Sequence, residues 1–289
     1  MKKVKFFASY CSEEQIYKNI ISSWGKGKDT YKDILITKEF DYEYAVLLNL
    51  ASPNYLVKKE NIIGFSHEPR MILGLSNDYI SAVSNHLENY FLSNNQGLPE
   101  TFKEGYSFVC PFEFGPSEGV DYPHQHKMSM IMSLSKGLPG HKMRYEILER
   151  VLKTDMDIHF YAAGLNKIYT DERVKEFNWD LFAIPYEQYQ TQIVCENVID
   201  GSWSTEKFSN CIIKKTLPIY YGSKKIADEF YGEDNILMLT EDPDQNLEII
   251  KNAYYDSTIY DRNKECINNA NHKLYSEKNL LEFLNNYFK

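Results

Sequence analysis

Short apolar runs alternate along this chain with stretches whose apolar residues recur every three or four positions. That is the pattern of parallel strands joined by helices. Val4–Ala8 reads as a first strand. Ser12 then opens a helix as its N-cap, with Glu13 and Glu14 in the first turn, and the helix runs to about Trp24 before Gly25 and Gly27 end it. Ile34–Thr37, Ala45–Leu50 and Ile62–Phe65 are further strands, with a turn at Ser52-Pro53-Asn54. Tyr90–Leu92 is another strand, whereas Ile72–Leu75 and Tyr79–His86 are too short to assign.

Between about Asn94 and Lys127 the periodicity gives way to glycine, proline and aromatic residues, among them Gly97, Pro99, Gly105, Pro111, Gly115, Pro116, Gly119 and Pro123. A composition shift of this length predicts a domain boundary, with one unit over 1–120 and a second over 121–289. The second unit repeats the alternation. Met128–Leu134 is a strand, Lys136–His141 a turn, and a helix to about Lys153 presents Met143, Ile147, Leu148 and Val151 on one face. Strands at Ile158–Ala162, Thr191–Val194, Leu217–Gly222 and Ile236–Leu239 follow. Helices are expected near Lys224–Phe230, Asn246–Tyr255 and Glu277–Tyr287, and the sequence leaves open whether the last returns to the first unit.

With 289 residues and 43% hydrophobic content, the chain can bury two ordinary α/β cores. Its net charge of −9 argues against nucleic acid or nonspecific adhesion to anionic membranes as a partner. Any phosphate-binding charge must therefore be local. Five scattered cysteines without C-x-x-C spacing read as reduced thiols, which suits a cytoplasmic or otherwise reducing compartment. The apolar part of the first residues is too short for a signal peptide, and no run approaches bilayer length.

The chemistry concentrates around the Thr191–Val194 strand. It ends in Glu196-Asn197, a loop with Asp200, Gly201 and Ser202 follows, and Ser204 is the expected N-cap of a helix with Thr205, Glu206 and Lys207 in its first turn. Phe208, Cys211 and Ile212 recur at helical spacing, and Leu217–Gly222 returns as a strand. Such a unit presents free N–H groups and a positive dipole end at the crevice where α/β sheets bind ligands. Lys207 adds a full charge, and Glu206 brings a carboxylate within reach of sugar hydroxyls.

Glu196-Asn197, then Trp203-Ser204-Thr205-Glu206-Lys207, then Leu217-Pro218-Ile219-Tyr220-Tyr221-Gly222 resembles the donor-binding signature of the glycosyltransferase family 10 fucosyltransferases. There an F-E-N strand end precedes Y-x-T-E-K and V-P-I-x-x-G. The resemblance implies a GT-B-like α/β fold, two Rossmann-type αβα domains facing across a cleft, with acceptor-side and nucleotide-sugar donor-binding halves. It implies an inverting, metal-independent transfer, with GDP-fucose as donor substrate, no other cofactor, and a glycan hydroxyl as acceptor. Absence of an anchor would liken the chain to soluble bacterial or viral members rather than the Golgi-anchored animal ones.

Residue by residue, the resemblance assigns the catalytic base to Glu68, in Ser66-His67-Glu68-Pro69-Arg70-Met71. From the residues alone, His67 and Glu68 could equally be a polar strand end with Arg70 as ion-pair partner. The resemblance further implies that Arg144 and Lys207 hold the diphosphate, that Glu206 bonds sugar or ribose hydroxyls, and that Glu196 and Asn197 shape the nucleotide pocket. Arginine suits a diphosphate because its planar fork pairs two oxygens; the bland alternative is a solvated face of Lys142, Arg144, Glu146 and Arg150. Trp203 replaces the family's tyrosine, which keeps a stacking surface and loses a hydroxyl. Tyr186 and Tyr189 either line the pocket or pack.

Asp155-Met156-Asp157 and Asp242-Pro243-Asp244 have D-x-D spacing, yet their positions read as structural, and His124-Gln125-His126 lacks a matching ligand cluster. No metal is expected. Neither G-x-G-x-x-G, nor a P-loop, nor G-x-S-x-G occurs. The rival expectations are another nucleotide-sugar donor on the same fold, or a nucleotide- or glycan-binding protein without catalysis.

Overall fold

The computed structural model describes residues 1–52, 56–108, 121–178, 180 and 182–288. Pro53-Asn54 of the expected turn, Cys110, and Pro111, Gly115, Pro116 and Gly119 of the expected boundary lie outside them. The chain divides into two compact units: Met1–Phe114 with Asp200–Glu206 and Tyr275–Lys289, and Gly115–Ile199 with Lys207–Leu274.

Unit 1 contains β1 (Lys2–Ala8), α1 (Glu13–Ser23), β2 (Thr30–Tyr31), β3 (Ile34–Thr37), β4 (Tyr44–Leu48), β5 (Ile62–Phe65), α2 (Arg70–Leu73), α3 (Asn77–His86), β6 (Asn89–Leu92) and β7 (Phe102–Glu104). The sheet order is β2-β3-β1-β4-β5-β6-β7, parallel except for the β2–β3 pair. Ala45-Val46-Leu47-Leu48 is buried throughout, as expected of a central parallel strand covered on both faces. The ambiguous Tyr79 segment is helical because Ser76 caps it, its hydroxyl accepting from the Tyr79 N–H at 3.1 Å. β4 stops at Leu48 because Asn49 turns left-handed at φ +54°, and β7 forms inside the stretch read from sequence as aperiodic.

Unit 2 contains β8 (His126–Ile131), α4 (Pro139–Val151), β9 (Ile158–Ala162), β10 (Val174–Glu176), α5 (Ile184–Glu187), β11 (Tyr189–Cys195), α6 (Glu206–Ile213), β12 (Leu217–Tyr221), α7 (Lys224–Tyr231), β13 (Leu237–Met238), α8 (Pro243–Tyr255), α9 (Ile259–Arg262) and most of α10 (Lys264–Ser276). Its sheet, β10-β9-β8-β11-β12-β13, is parallel throughout. α4 begins at Pro139, within the expected turn, because proline is pre-organised for a first helical position and needs no N–H partner there.

α10 escapes a periodicity reading because polar Asn271 sits on its buried face between Ile267 and Leu274. Its amide donates to the Ile212 carbonyl at 2.9 Å, satisfying the end of α6. α11 (Leu280–Tyr287) belongs to unit 1: Phe283 packs against Phe65, Phe91 and Phe108, and Lys2 Nζ donates to the Asn285 carbonyl at 3.0 Å. Cys11, Cys195, Cys211 and Cys266 are free thiols. Among the described residues no helix is long and apolar enough to cross a membrane.

Candidate functional site

In unit 2 the strand order reverses between β8 and β11: β9 follows to one side of β8, β12 to the other side of β11. Ligands of open α/β sheets bind at such a switch point, outside the carboxyl ends of the strands. The helices that follow these two strands are α4 and α6, so both amino termini belong to this edge.

Close backbone approach fixes α4 there. The Gly140 N–H donates to the Asn197 carbonyl at 2.9 Å, and a Cβ on residue 140 would lie 1.6 Å from the Glu196 carbonyl oxygen. Only glycine permits that contact. One turn on, Arg144 is 2% exposed. Its Nε donates to the Cys195 carbonyl at 3.1 Å, its Nη2 to the same oxygen and to Asn197 Oδ1 at 2.9 Å. Arg144 is thus an interior residue of the strand edge, not part of a solvated helix face. Its bonds to described residues all go to neutral oxygens.

Lys207 and His141 share this neighbourhood. Burial first, then the charges of Arg144 and Lys207, hold the His141 imidazole below its ordinary value, against a hydrogen bond with Asn197. His141 is therefore neutral at pH 7, its Nδ1 accepting from the Leu138 N–H at 3.4 Å. Beneath them, burial pushes the Cys195 thiol up to about 12; Arg144 and Lys207 pull it down and Glu196 pushes it up. Arg144, Lys207, Asn197 and Glu196 thus converge on one strand end. Glu196 is fully buried and accepts from the Tyr220 hydroxyl at 3.3 Å. His141, which the sequence places only at the end of a turn, belongs with them; the Pro139-Gly140 pair ahead of it was the available signal.

The stretch Asp200–Glu206 packs within unit 1, which changes the expected roles of two residues. Trp203, expected as a stacking surface, has its ring 2% exposed, and its indole N–H donates to the His67 carbonyl at 3.2 Å. It supports the His67 turn and offers no open face. Ser204 is not the N-cap: α6 begins at Glu206, and the buried Ser204 hydroxyl has no partner among the described residues. Thr205 is buried, while Glu206 and Lys207 are half-buried at the helix start.

Glu68 is exposed on the turn after β5, and bonds on both sides hold that turn. The His67 N–H donates to Asn49 Oδ1 at 2.7 Å, the Ser66 hydroxyl donates to the Glu68 carbonyl, and the Arg70 N–H donates to Asp200 Oδ2 at 2.8 Å. Arg70 makes no ion pair with Glu68; its guanidinium goes to the carbonyls of Asn94 and Gln96. Tyr10 reaches the same edge, its hydroxyl 3.2 Å from His67 Nδ1. Sequence reasoning passed over Tyr10 and Asn49, because a lone tyrosine after a strand and a strand-ending asparagine carry no motif.

Burial pushes the His67 imidazole down to about 4. A depressed folded-state value means that the unfolded chain binds the proton more readily, so stability falls as pH drops from about 6.5 toward 4. The full span is on the order of 3 kcal/mol. Urea denaturation of His67→Gln should show a flatter slope than wild type over that interval; an unchanged slope would assign the acid loss elsewhere.

Other candidates are structural. Tyr186 is buried, and Tyr189, at the opposite end of β11 from Cys195, has its hydroxyl 2.6 Å from His159 Nδ1 and 2.7 Å from the Tyr161 hydroxyl. Asp155 accepts from the Tyr255 hydroxyl and Asp157 pairs with His159; Asp242 caps α8 and Asp244 pairs with Arg150. His124 contacts the Lys214 carbonyl at 3.2 Å, and the His126 ring lies against that of His159. No group of three or more metal-ligating side chains forms among the described residues.

Two α/β domains of this kind match the GT-B fold, and GT-B glycosyltransferases are among the solved structures that resemble the protein. A TarM mutant from S. aureus, in complex with Fondaparinux, alpha-GlcNAc-glycerol and UDP, superposes with a TM-score of 0.56 at 12% identity, over 85% of this chain and 55% of TarM. An α1,3-fucosyltransferase with GDP-fucose gives 0.54 at 12% identity, over 91% of this chain and 81% of its own. The trehalose-6-phosphate synthase OtsA gives 0.53 at 12% identity, over 89% and 73%. The protein spans little more than half the length of TarM. It matches no protein-family model and no curated protein sequence, so the likeness is one of fold.

Proposed function

We propose that the protein is an inverting, metal-independent glycosyltransferase of the family 10 type, moving fucose from GDP-fucose to a glycan hydroxyl. The observation that carries this reading is the Arg144 guanidinium, buried at the switch point with neutral partners, beside Lys207 and the first turns of α4 and α6. A buried cation without a counter-charge is costly, and a bound anion removes that cost. In the reaction proposed, Glu68 takes the proton from the acceptor hydroxyl as its oxygen forms the bond to the sugar's anomeric carbon. The bond from that carbon to the diphosphate breaks, and the negative charge on the leaving oxygen is stabilised by Arg144, Lys207 and the helix N–H groups. Glu206 bonds donor hydroxyls, Asn197 and Glu196 set the pocket floor, and His141 donates as a neutral imidazole.

The resemblance of the motifs from Glu196 to Gly222 to the family's donor-binding signature favours guanosine. The likeness to TarM, solved with UDP, keeps uridine donors as the second reading. Thermal-shift titration with GDP and UDP separates them: GDP at about a hundred times its dissociation constant should stabilise the fold by about 2.7 kcal/mol, and UDP far less. Equal responses would point to another donor; no response to either would end the nucleotide-sugar reading. A response to GDP without sugar transfer across a donor panel would favour a non-catalytic binder.

A further inference from the structure

Two residues beyond Glu68 in sequence, unit 1 holds a pocket of about 390 Å³, within the size range of small-ligand sites. Its lining combines the polar Arg70, Asn94 and Asp200 with the apolar Met71, Leu75, Ile80 and Leu98. The polar groups are built into place. Asp200 Oδ2 accepts from the Arg70 N–H and from the Ser93 hydroxyl at 2.6 Å, while Oδ1 accepts nothing from the described residues. Asn94 Oδ1 accepts from the Gln96 N–H at 3.0 Å. Arg70 Nη1 is engaged by two carbonyls, and its Nε and Nη2 donate to no described residue. Gly201 lets the chain after Asp200 approach Ser93: at φ +47°, its missing Cβ would lie 2.0 Å from the Ser93 carbonyl oxygen.

We infer that this pocket binds an uncharged pyranose ring, as the subsite for a sugar of the acceptor glycan. A pyranose carries hydroxyls on its edge and C–H groups on its face, which matches a lining that combines hydrogen-bond donors and acceptors with aliphatic side chains. The arginine and aspartate make the pocket near-neutral in sum. An anionic ligand would meet Asp200 and a cationic one Arg70, each at a desolvation cost that a neutral sugar avoids. Placing the sugar as acceptor rests on the glycosyltransferase reading; the affinity of the pocket for sugars does not.

Saturation-transfer NMR on the full chain tests this with methyl β-galactopyranoside, methyl β-glucopyranoside and methyl β-glucuronide as probes. At least one neutral glycoside should give transfer, and the glucuronide should bind more weakly. Met71→Trp, at an exposed position on the rim, should fill the pocket and remove the signal. Asn94→Ala should weaken binding roughly five-fold, the worth of about one hydrogen bond, and melting curves will show that both variants are folded. Absent transfer from either neutral glycoside, equal signals in wild type and both variants, or tighter binding of the glucuronide would overturn the inference. The nucleotide titration is read separately. Glycoside binding in a protein indifferent to nucleotides supports the pocket and removes the acceptor role, whereas nucleotide binding without glycoside binding at this site removes the pocket.

Discussion

Glu68→Gln is expected to reduce sugar transfer by about 10² to 10⁴-fold, the usual worth of a general base, while donor affinity stays near the wild-type value. The substitution is nearly isosteric and removes the negative charge and with it the ability to accept a proton. The turn that carries Glu68 is fixed by main-chain bonds from His67 to Asn49 and from Arg70 to Asp200, together with the Trp203 indole. None of these bonds uses the Glu68 carboxylate, and melting curves of the variant will show that it is folded. Donor-dependent hydrolysis and transfer, measured beside nucleotide affinity, read the two effects separately. Transfer at the wild-type rate in Glu68→Gln would show that the base is elsewhere. His67 is a poor substitute, since its ring is buried and its Nδ1 already meets Tyr10. If transfer and nucleotide affinity fell together, Glu68 would be a binding group and not the base.

What the sequence made legible was whatever depends on period and local chemistry. The strands around β11 and β12, the helix after the Thr205-Glu206-Lys207 start, and the alternation that requires parallel sheets all follow from residues close together in the chain. Which way a side chain points depends on partners far away in sequence. The sequence named Arg144 but could not show that its guanidinium bonds the Cys195 carbonyl. It named Trp203 for an aromatic face, whereas the indole N–H has the His67 carbonyl to satisfy, and that bond draws the ring inward. Ser204 looked like a cap because serine before Thr-Glu-Lys is a common helix start; the helix begins two residues later, and its hydroxyl is spent on no described partner. Asn271 hid α10 for the opposite reason, since a polar residue on the core face breaks the apolar period while satisfying two carbonyls of α6.

Arg144→Met should separate a binding role from a structural one more cleanly than any other change. Removing the guanidinium takes the Arg144 donors from the Cys195 carbonyl and from Asn197 Oδ1, a loss of about 1–3 kcal/mol for a buried group left unsatisfied. It also removes a buried charge that has no counter-ion among the described residues, and relieving such a charge with an apolar side chain of similar length can gain about 1–4 kcal/mol. These terms oppose each other and are of similar size, so the unliganded variant should unfold within about 1 kcal/mol of wild type. The nucleotide-bound state has no such compensation. There the diphosphate supplies the missing negative charge, and a charge-assisted bond is roughly twice as strong as a neutral one. The stabilisation by GDP should therefore largely disappear in Arg144→Met, and Lys207→Ala should weaken nucleotide binding in the same direction. Arg144→Lys should recover only part of the binding, because an ammonium keeps the charge but cannot hold the Cys195 carbonyl and an anion with one planar fork. A variant that loses several kcal/mol of intrinsic stability and yet binds GDP like wild type would make Arg144 a brace for the end of β11, and the nucleotide site would have to be sought elsewhere.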